Sequence, residues 1–301
     1  MVIVYLELIE KDEKRDCFIA KSKATIWNST FRMIKPYFET TTGTRLSAGI
    51  KILVKAVVEF HELFGLNLNI VDIEPTFTVG ELVRKKREII NRLTEEGVLD
   101  MNKELEFPRL PKRIAVISSE TAAGFGDFVD QLINNPFGYC FHIKLFPATM
   151  QGDESEKSMV KALEKIHHNI SSFDVVVIIR GGGSQADLEC FNNYWVSLHV
   201  AQFPLPVLTG IGHEKDECIV DLVAYTNLKT PTAVAEYLID IFHQEENYFL
   251  SIAGNLNNLT GEKISVEKEK IYQYSLLINN QVKTKVHTHK LFLEKTASQL
   301  G

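Results

Sequence analysis

The sequence predicts an α/β domain with a mainly parallel sheet, preceded by a small β-barrel and followed by long helices. Three observations carry this prediction. Between Arg113 and Tyr225, short apolar runs alternate with helical stretches, the pattern of parallel βαβ units. From Val2 to Pro75, several short strand-like runs surround one partly helical stretch, which suits a small barrel of the OB type. From Pro231 onward nothing reads as a strand.

The elements follow in order. Val2–Ile9 and Arg15–Lys21 are alternating or apolar runs separated by the charged turn Glu10-Lys11-Asp12-Glu13. A polar, partly helical stretch runs from Thr25 to about Phe38. Gly49–Glu59 and Leu66–Ile73 are strands, with Gly65 in the turn between them. From Thr78 to about Glu106 the pattern is helical and charged, with Leu82, Ile89, Ile90 and Leu93 at helical spacing. Its basic run Arg84-Lys85-Lys86-Arg87 reads first as a solvated helix face and second as a nucleic-acid backbone contact. Pro108 and Pro111 mark a boundary. Beyond it, strands are expected at Arg113–Ser118, Phe141–Phe146, Asp174–Ile179 and Pro206–Gly210. Helices are expected at Gly126–Ile133, Glu154–Ile170, Leu188–Gln202 and Glu217–Tyr225. Ala233–Leu300 is helical with an irregular apolar stripe, suited to a coiled-coil arm or a helix pair and weakened at Gly254 and Gly261.

Composition excludes several classes. No apolar run reaches the roughly 18–20 residues of a membrane span. No basic-then-apolar leader opens the chain, so a cytoplasmic location is expected. Met1–Tyr5 reads as the middle of a strand, so the barrel is expected to be incomplete at its start. The four cysteines are widely spaced with no C-x-x-C pair, which argues against a zinc site or a disulfide framework. The net charge of −6 does not advertise a nucleic-acid protein, although local basic patches can still bind phosphate.

The most informative stretch is Arg180-Gly181-Gly182-Gly183-Ser184, directly after the apolar strand run. Glycines at a strand end let the backbone turn and present N–H groups to an anion, and an arginine adds forked donors suited to phosphate. Two other strand ends carry unusual residues: Ser118-Ser119-Glu120-Thr121, leading to Gly126-Asp127, and Gly210-Ile211-Gly212-His213-Glu214-Lys215-Asp216. Ligands of open parallel sheets bind beyond the C-terminal strand ends, so all three should meet on one edge. His213 suits general acid/base work. Asp216, one helical turn on, would orient its imidazole or bind a metal. Asp127 begins a helix, where an aspartate is also at home without any function. Ser118, Ser119 and Thr121 offer hydroxyl donors to phosphate.

The segments PKRIAVISSETAAGFGDF, RGGGSQADLECFN and GIGHEKDECIVDLVAYTNLKTPTAVAEYL, in order between Pro111 and Leu238, resemble the large-subunit family of exodeoxyribonuclease VII. Pro147–Gly152 is similar to that family's P-T-x-V-Q-G connection. The chain departs from the family's usual residues at Glu120, Phe125, Gln185-Ala186 and Tyr225. The resemblance implies a nuclease that degrades single-stranded DNA to short oligonucleotides, with several copies of a small helical subunit on the C-terminal helices. It places the active site at Asp127, Arg180, His213 and Asp216. It divides the chain into an OB-like DNA-binding region (1–77), a helical linker (78–108), the α/β nuclease domain (109–240) and a helical arm (241–301).

On that reading Arg180, the backbone of Gly181, Gly182 and Gly183, and the hydroxyls of Ser118, Ser119 and Ser184 hold the scissile phosphate. His213 acts as general base or acid. Asp127 and Asp216 either position it or hold a divalent cation such as Mg2+, and the sequence leaves the metal open. In the barrel, Trp27, Lys21, Lys23 and Lys51 are the candidates for gripping DNA, with Phe18, Phe60 and Phe64 as further aromatics. Two other classes remain: a single-strand-binding protein without catalysis, and a small-molecule α/β enzyme that binds a phosphate.

Overall fold

A computed structural model describes residues 3–12, 17–62, 65–152, 154–181, 185–212 and 217–299. The chain divides into two units, Met1–Phe242 and His243–Gly301. In the first, β1 (Ile3–Asp12), β2 (Cys17–Trp27), β3 (Leu53–His61) and β4 (Gly65–Glu74) form a mixed sheet in the order β1-β2-β4-β3. The hairpin pairs β1–β2 and β3–β4 are antiparallel, and β2–β4 is parallel. Helix α1 (Asn28–Thr42) covers one face, where Ile34 and Phe38 pack with Ala24, Ile26, Ile70 and Ile73. The second strand runs to Trp27, past the expected end near Lys21, because Ala24 and Ile26 bury beneath this helix. Among the described residues the expected barrel is an open sheet whose edges are β1 and β3.

Helix α2 (Pro75–Glu95) opens with proline in its first turn, where no N–H partner is lost, and the Glu74 side chain accepts from Thr76 N at 3.3 Å. It stops eleven residues before the expected end near Glu106. The cause is Gly97, whose φ of +69° is left-handed and lets Val98 N return to Leu93 O at 3.1 Å. The turns that follow pack against the α/β region, with Val98 in its core. There Asn102 is fully buried: its Nδ2 donates to Phe203 O and Leu205 O, and its Oδ1 accepts from Val207 N. Asn102→Ala strands all three backbone groups in the core and is expected to cost about 3 kcal/mol, read as a lowered midpoint in urea unfolding at unchanged m.

The second sheet is wholly parallel. Its strands are β5 (Arg113–Ser118), β6 (His142–Pro147), β7 (Val175–Ile179), β8 (Val207–Gly210) and β9 (Thr226–Asn227), ordered β6-β5-β7-β8-β9. Every residue of β7 is buried, as a central strand covered on both faces requires. Helices α3 (Ala123–Ile133) and the start of α7 (Pro231–Gln299) cover one face: Phe128, Leu132, Val234 and Leu238 meet Ile114, Val116, Val177 and Ile179. Helices α4 (Ser155–His167), α5 (Tyr194–Ala201) and α6 (Ile219–Val223) cover the other, where Met159, Leu163, Val196 and Val220 meet Ala115, Ile117, Val176 and Ile178. Strand order reverses at β5, with β6 on one side and β7 on the other. This is the topological switch of a doubly wound sheet, and the crevice for ligands lies between the C-terminal ends of β5 and β7.

The second unit is helical. α7 continues through Gly254 and Gly261, the two positions expected to weaken it. Exposed Phe249, Ile252, Leu256 and Leu259 recur at three-and-four spacing, and a second stripe starts at Ile271 and Tyr274. Among the described residues no helix is long and apolar enough to cross a membrane.

Candidate phosphate-binding and catalytic site

Three of the parallel strands, β5, β7 and β8, deliver the motif segments to one edge of the sheet. Ile117 lies level with Ile178, and Ile179 with Gly210, so Ser118 and Arg180 sit at adjacent strand ends. Arg180 N donates to Gly210 O at 3.3 Å, which carries the β7–β8 pairing past the end of β7. Alternation along β7 puts Arg180 with Val176 and Ile178, on the α4–α6 face, and its side chain is 6% exposed.

The first turn of α3 seals the other side of the crevice. A Cβ at Gly124 would stand 2.9 Å from Arg180 O, 3.0 Å from Gly181 Cα and 2.8 Å from Pro231 Cγ. A Cβ at Gly181 would lie 3.3 Å from both Ala123 N and Gly124 N. Glycine at both places lets the helix N-terminus close on the glycine loop. Ala122, at the N-cap, gives this helix no side-chain cap. The amide nitrogens of Ala123 and Gly124, at the positive end of the helix dipole, therefore lie beside Gly181, while Phe125 N donates to Ala122 O at 3.0 Å. Ser118 Oγ is buried there without a hydrogen-bond partner among the described residues. Ser119 Oγ lies 3.3 Å from Thr121 Oγ1.

Asp127 is placed differently. It is exposed, one turn into α3, and lines a groove toward the start of α7 with Asp130, Gln131, Thr232 and Glu236. Arg180 follows Val176 and Ile178 on the α4–α6 face of the sheet, whereas Asp127 belongs to α3 on the other face. Gly182, Gly183, Ser184, His213 and Asp216 lie outside the described residues. Among the described residues no three Asp, Glu, His or Cys side chains gather at metal-binding distance.

Around the segment that carries His213 and Asp216, five contacts went unread in the sequence. Lys86 Nζ donates to Glu217 O, and Asn227 Nδ2 donates to Glu217 Oε1 at 2.8 Å. Ile219 N donates to Asn192 Oδ1 at 3.1 Å, joining this segment to the turn after the glycine loop. Asp221 bonds both Thr209 and Cys218. Lys86 thus reaches from the basic run to another element, while Lys85 and Arg87 are exposed and Arg84 pairs with Glu81 and Glu88 on the same helix, as a solvated face would have them. Burial, the Asp221 charge beside it and its hydrogen bond to Asp221 push the Cys218 thiol well above its ordinary pKa, so it stays protonated and structural. The Glu189 carboxyl is raised by desolvation, which outweighs its Asn192 hydrogen bond and the charges of Lys85 and Lys86.

In the first sheet, Lys21, Lys23 and Trp27 fall on the same outer face of β2, opposite the α1 core. Trp27 is 40% exposed there. Lys21 pairs with Glu7 at 2.8 Å and Lys51 with Glu81 at 3.0 Å, while Lys23 is exposed. Tyr5, directly opposite Thr25 and 78% exposed, adds an aromatic to this face that the sequence reading passed over. Phe60 is also exposed, and the side chains of Phe18 and Phe64 lie outside the described residues.

Fold and site together define a doubly wound α/β protein in which Arg180–Gly181 and the start of α3 meet at the C-terminal edge of the parallel sheet, preceded by a mixed β-sheet region. The chain belongs to the exonuclease VII large-subunit family, whose model matches residues 98–301. It is similar to the exodeoxyribonuclease 7 large subunit of Deinococcus radiodurans, with 33% identity over 242 residues, 78% of this chain and 58% of that protein. The namesake from Ligilactobacillus salivarius is 33% identical over 253 residues, 83% of this chain and 50% of its own. That from Nostoc sp. is 39% identical over 161 residues, 54% and 38% of the respective chains. The chain spans about half the length of the curated relatives it matches.

Proposed function

We propose that this chain carries the catalytic part of an exodeoxyribonuclease VII large subunit, hydrolysing phosphodiester bonds of single-stranded DNA. The observation that carries the reading is the junction of Arg180–Gly181 with the uncapped first turn of α3 at the switch crevice. Arg180 and the backbone N–H groups around it bind the scissile phosphate and stabilise the charge that grows on its non-bridging oxygens as water attacks. Ser118, Ser119 and Ser184 supply further donors. His213 takes the proton of the attacking water or returns one to the leaving oxygen as the P–O bond breaks. Asp216 orients His213. Asp127, set apart on the α3 flank, acts on the substrate from the rim. Asp127 and Asp216 are the residues that would hold a divalent cation, should one take part.

The first sheet serves as the DNA grip. Its order β1-β2-β4-β3, its parallel β2–β4 pair and the helix between β2 and β3 suit an OB-type barrel lacking one strand. Tyr5 and Trp27 would stack bases beside Lys21 and Lys23, with Lys51 near the strand edge. The bare apolar stripes of α7 suit docking of a helical small subunit. A cytoplasmic site of action follows from this role.

The test is degradation of end-labelled single-stranded DNA by the chain with its small subunit, with and without EDTA. Release of short oligonucleotides is expected. Tight binding without cleavage would replace this reading with that of a binding protein. The EDTA arm decides whether a cation takes part.

A further inference from the structure

Resting on the nuclease reading above, we infer that Trp195, at the start of α5, is a stacking platform for an unpaired base of the single strand on the rim of the ligand edge. Its place follows from the helix starts. Helices α4, α5 and α6 follow β6, β7 and β8 in the chain, so each begins at the C-terminal edge of the parallel sheet. Asn193 Nδ2 donates to Glu156 Oε2 at 2.8 Å, in the first turn of α4. Ile219 N, the first residue of α6, donates to Asn192 Oδ1 at 3.1 Å. These bonds gather the three starts on the α4–α6 face, the face to which Arg180 belongs. Asn193 also caps α5, accepting from Trp195 N at 2.8 Å and from Val196 N at 3.3 Å, which fixes the backbone that carries the indole.

Core packing does not use Trp195. Helix α5 buries Val196, Ser197, Val200 and Ala201, whereas Trp195 is 52% exposed. A single exposed aromatic is ordinary, but this one rests on a ring that is itself held. Tyr194 and Trp195 meet edge to face with centroids 5.2 Å apart. The Tyr194 hydroxyl donates to the Glu96 carboxylate, 2.7 and 2.9 Å from its two oxygens. The Arg92 guanidinium lies 3.7 Å from the Tyr194 centroid, and its Nε donates to Glu96 at 3.0 Å. An indole set on so fixed a ring loses little freedom when a base stacks on it. Charge along α2 fits the same occupant. Lys86 Nζ donates to Glu217 O just before α6, and Arg92 covers Tyr194 at the start of α5, so α2 crosses both helix starts. Lys85 is exposed on the same flank of α2 as Arg92, two turns and about 10 Å away. Cations beside an aromatic face grip the backbone and the bases of a single strand together.

Trp195→Ala is expected to weaken binding of labelled oligothymidylate by about 5- to 100-fold, read by anisotropy on the chain with its small subunit. KM for cleavage should rise in step while kcat stays within about twofold. Trp195→Phe, which keeps a π-face, is expected to recover most of the affinity, and thermal melts confirm the folded fraction. Tryptophan emission gives a direct readout. Trp27 is the only other tryptophan, so a Trp27→Phe chain reports on Trp195, whose emission should change as oligothymidylate saturates the chain. Should Trp195→Ala fail to fold, this emission still decides. Wild-type affinity in Trp195→Ala, an equal loss in Trp195→Phe, or constant emission while anisotropy shows the DNA bound would overturn the inference. A wild-type chain that neither binds nor cleaves DNA would instead overturn the nuclease reading.

Discussion

Arg180→Ala and His213→Ala are each expected to cut cleavage of single-stranded DNA by about 100-fold or more. For Arg180 the reason is electrostatic. The side chain sits at the buried end of a central strand, where water screens it little, and its forked donors match two phosphate oxygens at once. Losing a single preorganised donor at a developing oxyanion costs about 100- to 1,000-fold in comparable sites. Arg180→Lys separates charge from geometry: it keeps a cation and much of the packing, and is expected to recover only part of the rate. For His213 the reason is proton transfer, a contribution of about 100- to 10,000-fold. Single-turnover cleavage of end-labelled DNA, with DNA affinity measured in parallel, checks both. A variant that binds DNA normally and cleaves at near wild-type rate would remove that residue from the mechanism.

The second large effect is expected from the smallest change. Gly124→Ala adds one methyl group to a helix, where alanine is ordinarily favoured over glycine by up to about 1 kcal/mol. Here the methyl would meet Arg180 O at 2.9 Å and Gly181 Cα at 3.0 Å, both backbone atoms that cannot swing aside. Overpacking of this kind costs about 1–3 kcal/mol and wins over propensity. The helix start must back away from the strand end, so cleavage should fall by about 10-fold or more as well. Gly126→Ala, two residues along the same helix with open space at its Cβ, should instead be neutral or stabilising. Melting temperatures and cleavage rates of the two variants make the comparison. Similar behaviour in both would show that the close approach is not what constrains position 124.

Much of this architecture was legible in the sequence, for identifiable reasons. The run Val175–Ile179 is apolar throughout because both faces of β7 are covered, and such a run reads plainly as a buried strand. The helix after β5 begins at Ala123, earlier than Gly126, because its N-cap residue carries no capping side chain to announce it. The glycine motif and the arginine before it were visible as a pattern. The need for Gly124 was not, since it arises from Arg180 and Pro231, distant in the chain. Asp221, Asn192 and Lys86 were missed for the same reason: their partners lie on other elements. Gly254 and Gly261 misled in the opposite direction, because local propensity alone does not end a long helix.

The crevice also has a place in the order of events during folding. Its two lips, Ser118 and Arg180, are separated by an entire β-strand and two crossover connections, and they become neighbours only when β5 and β7 pair. Closing so long a loop is entropically costly until the sheet is complete, so this pocket belongs to the late, non-local stage of assembly. An anion that binds there recognises only the finished sheet. By mass action, any ligand that binds there pulls the population toward the native state, so occupancy of the crevice and completion of the sheet stabilise each other.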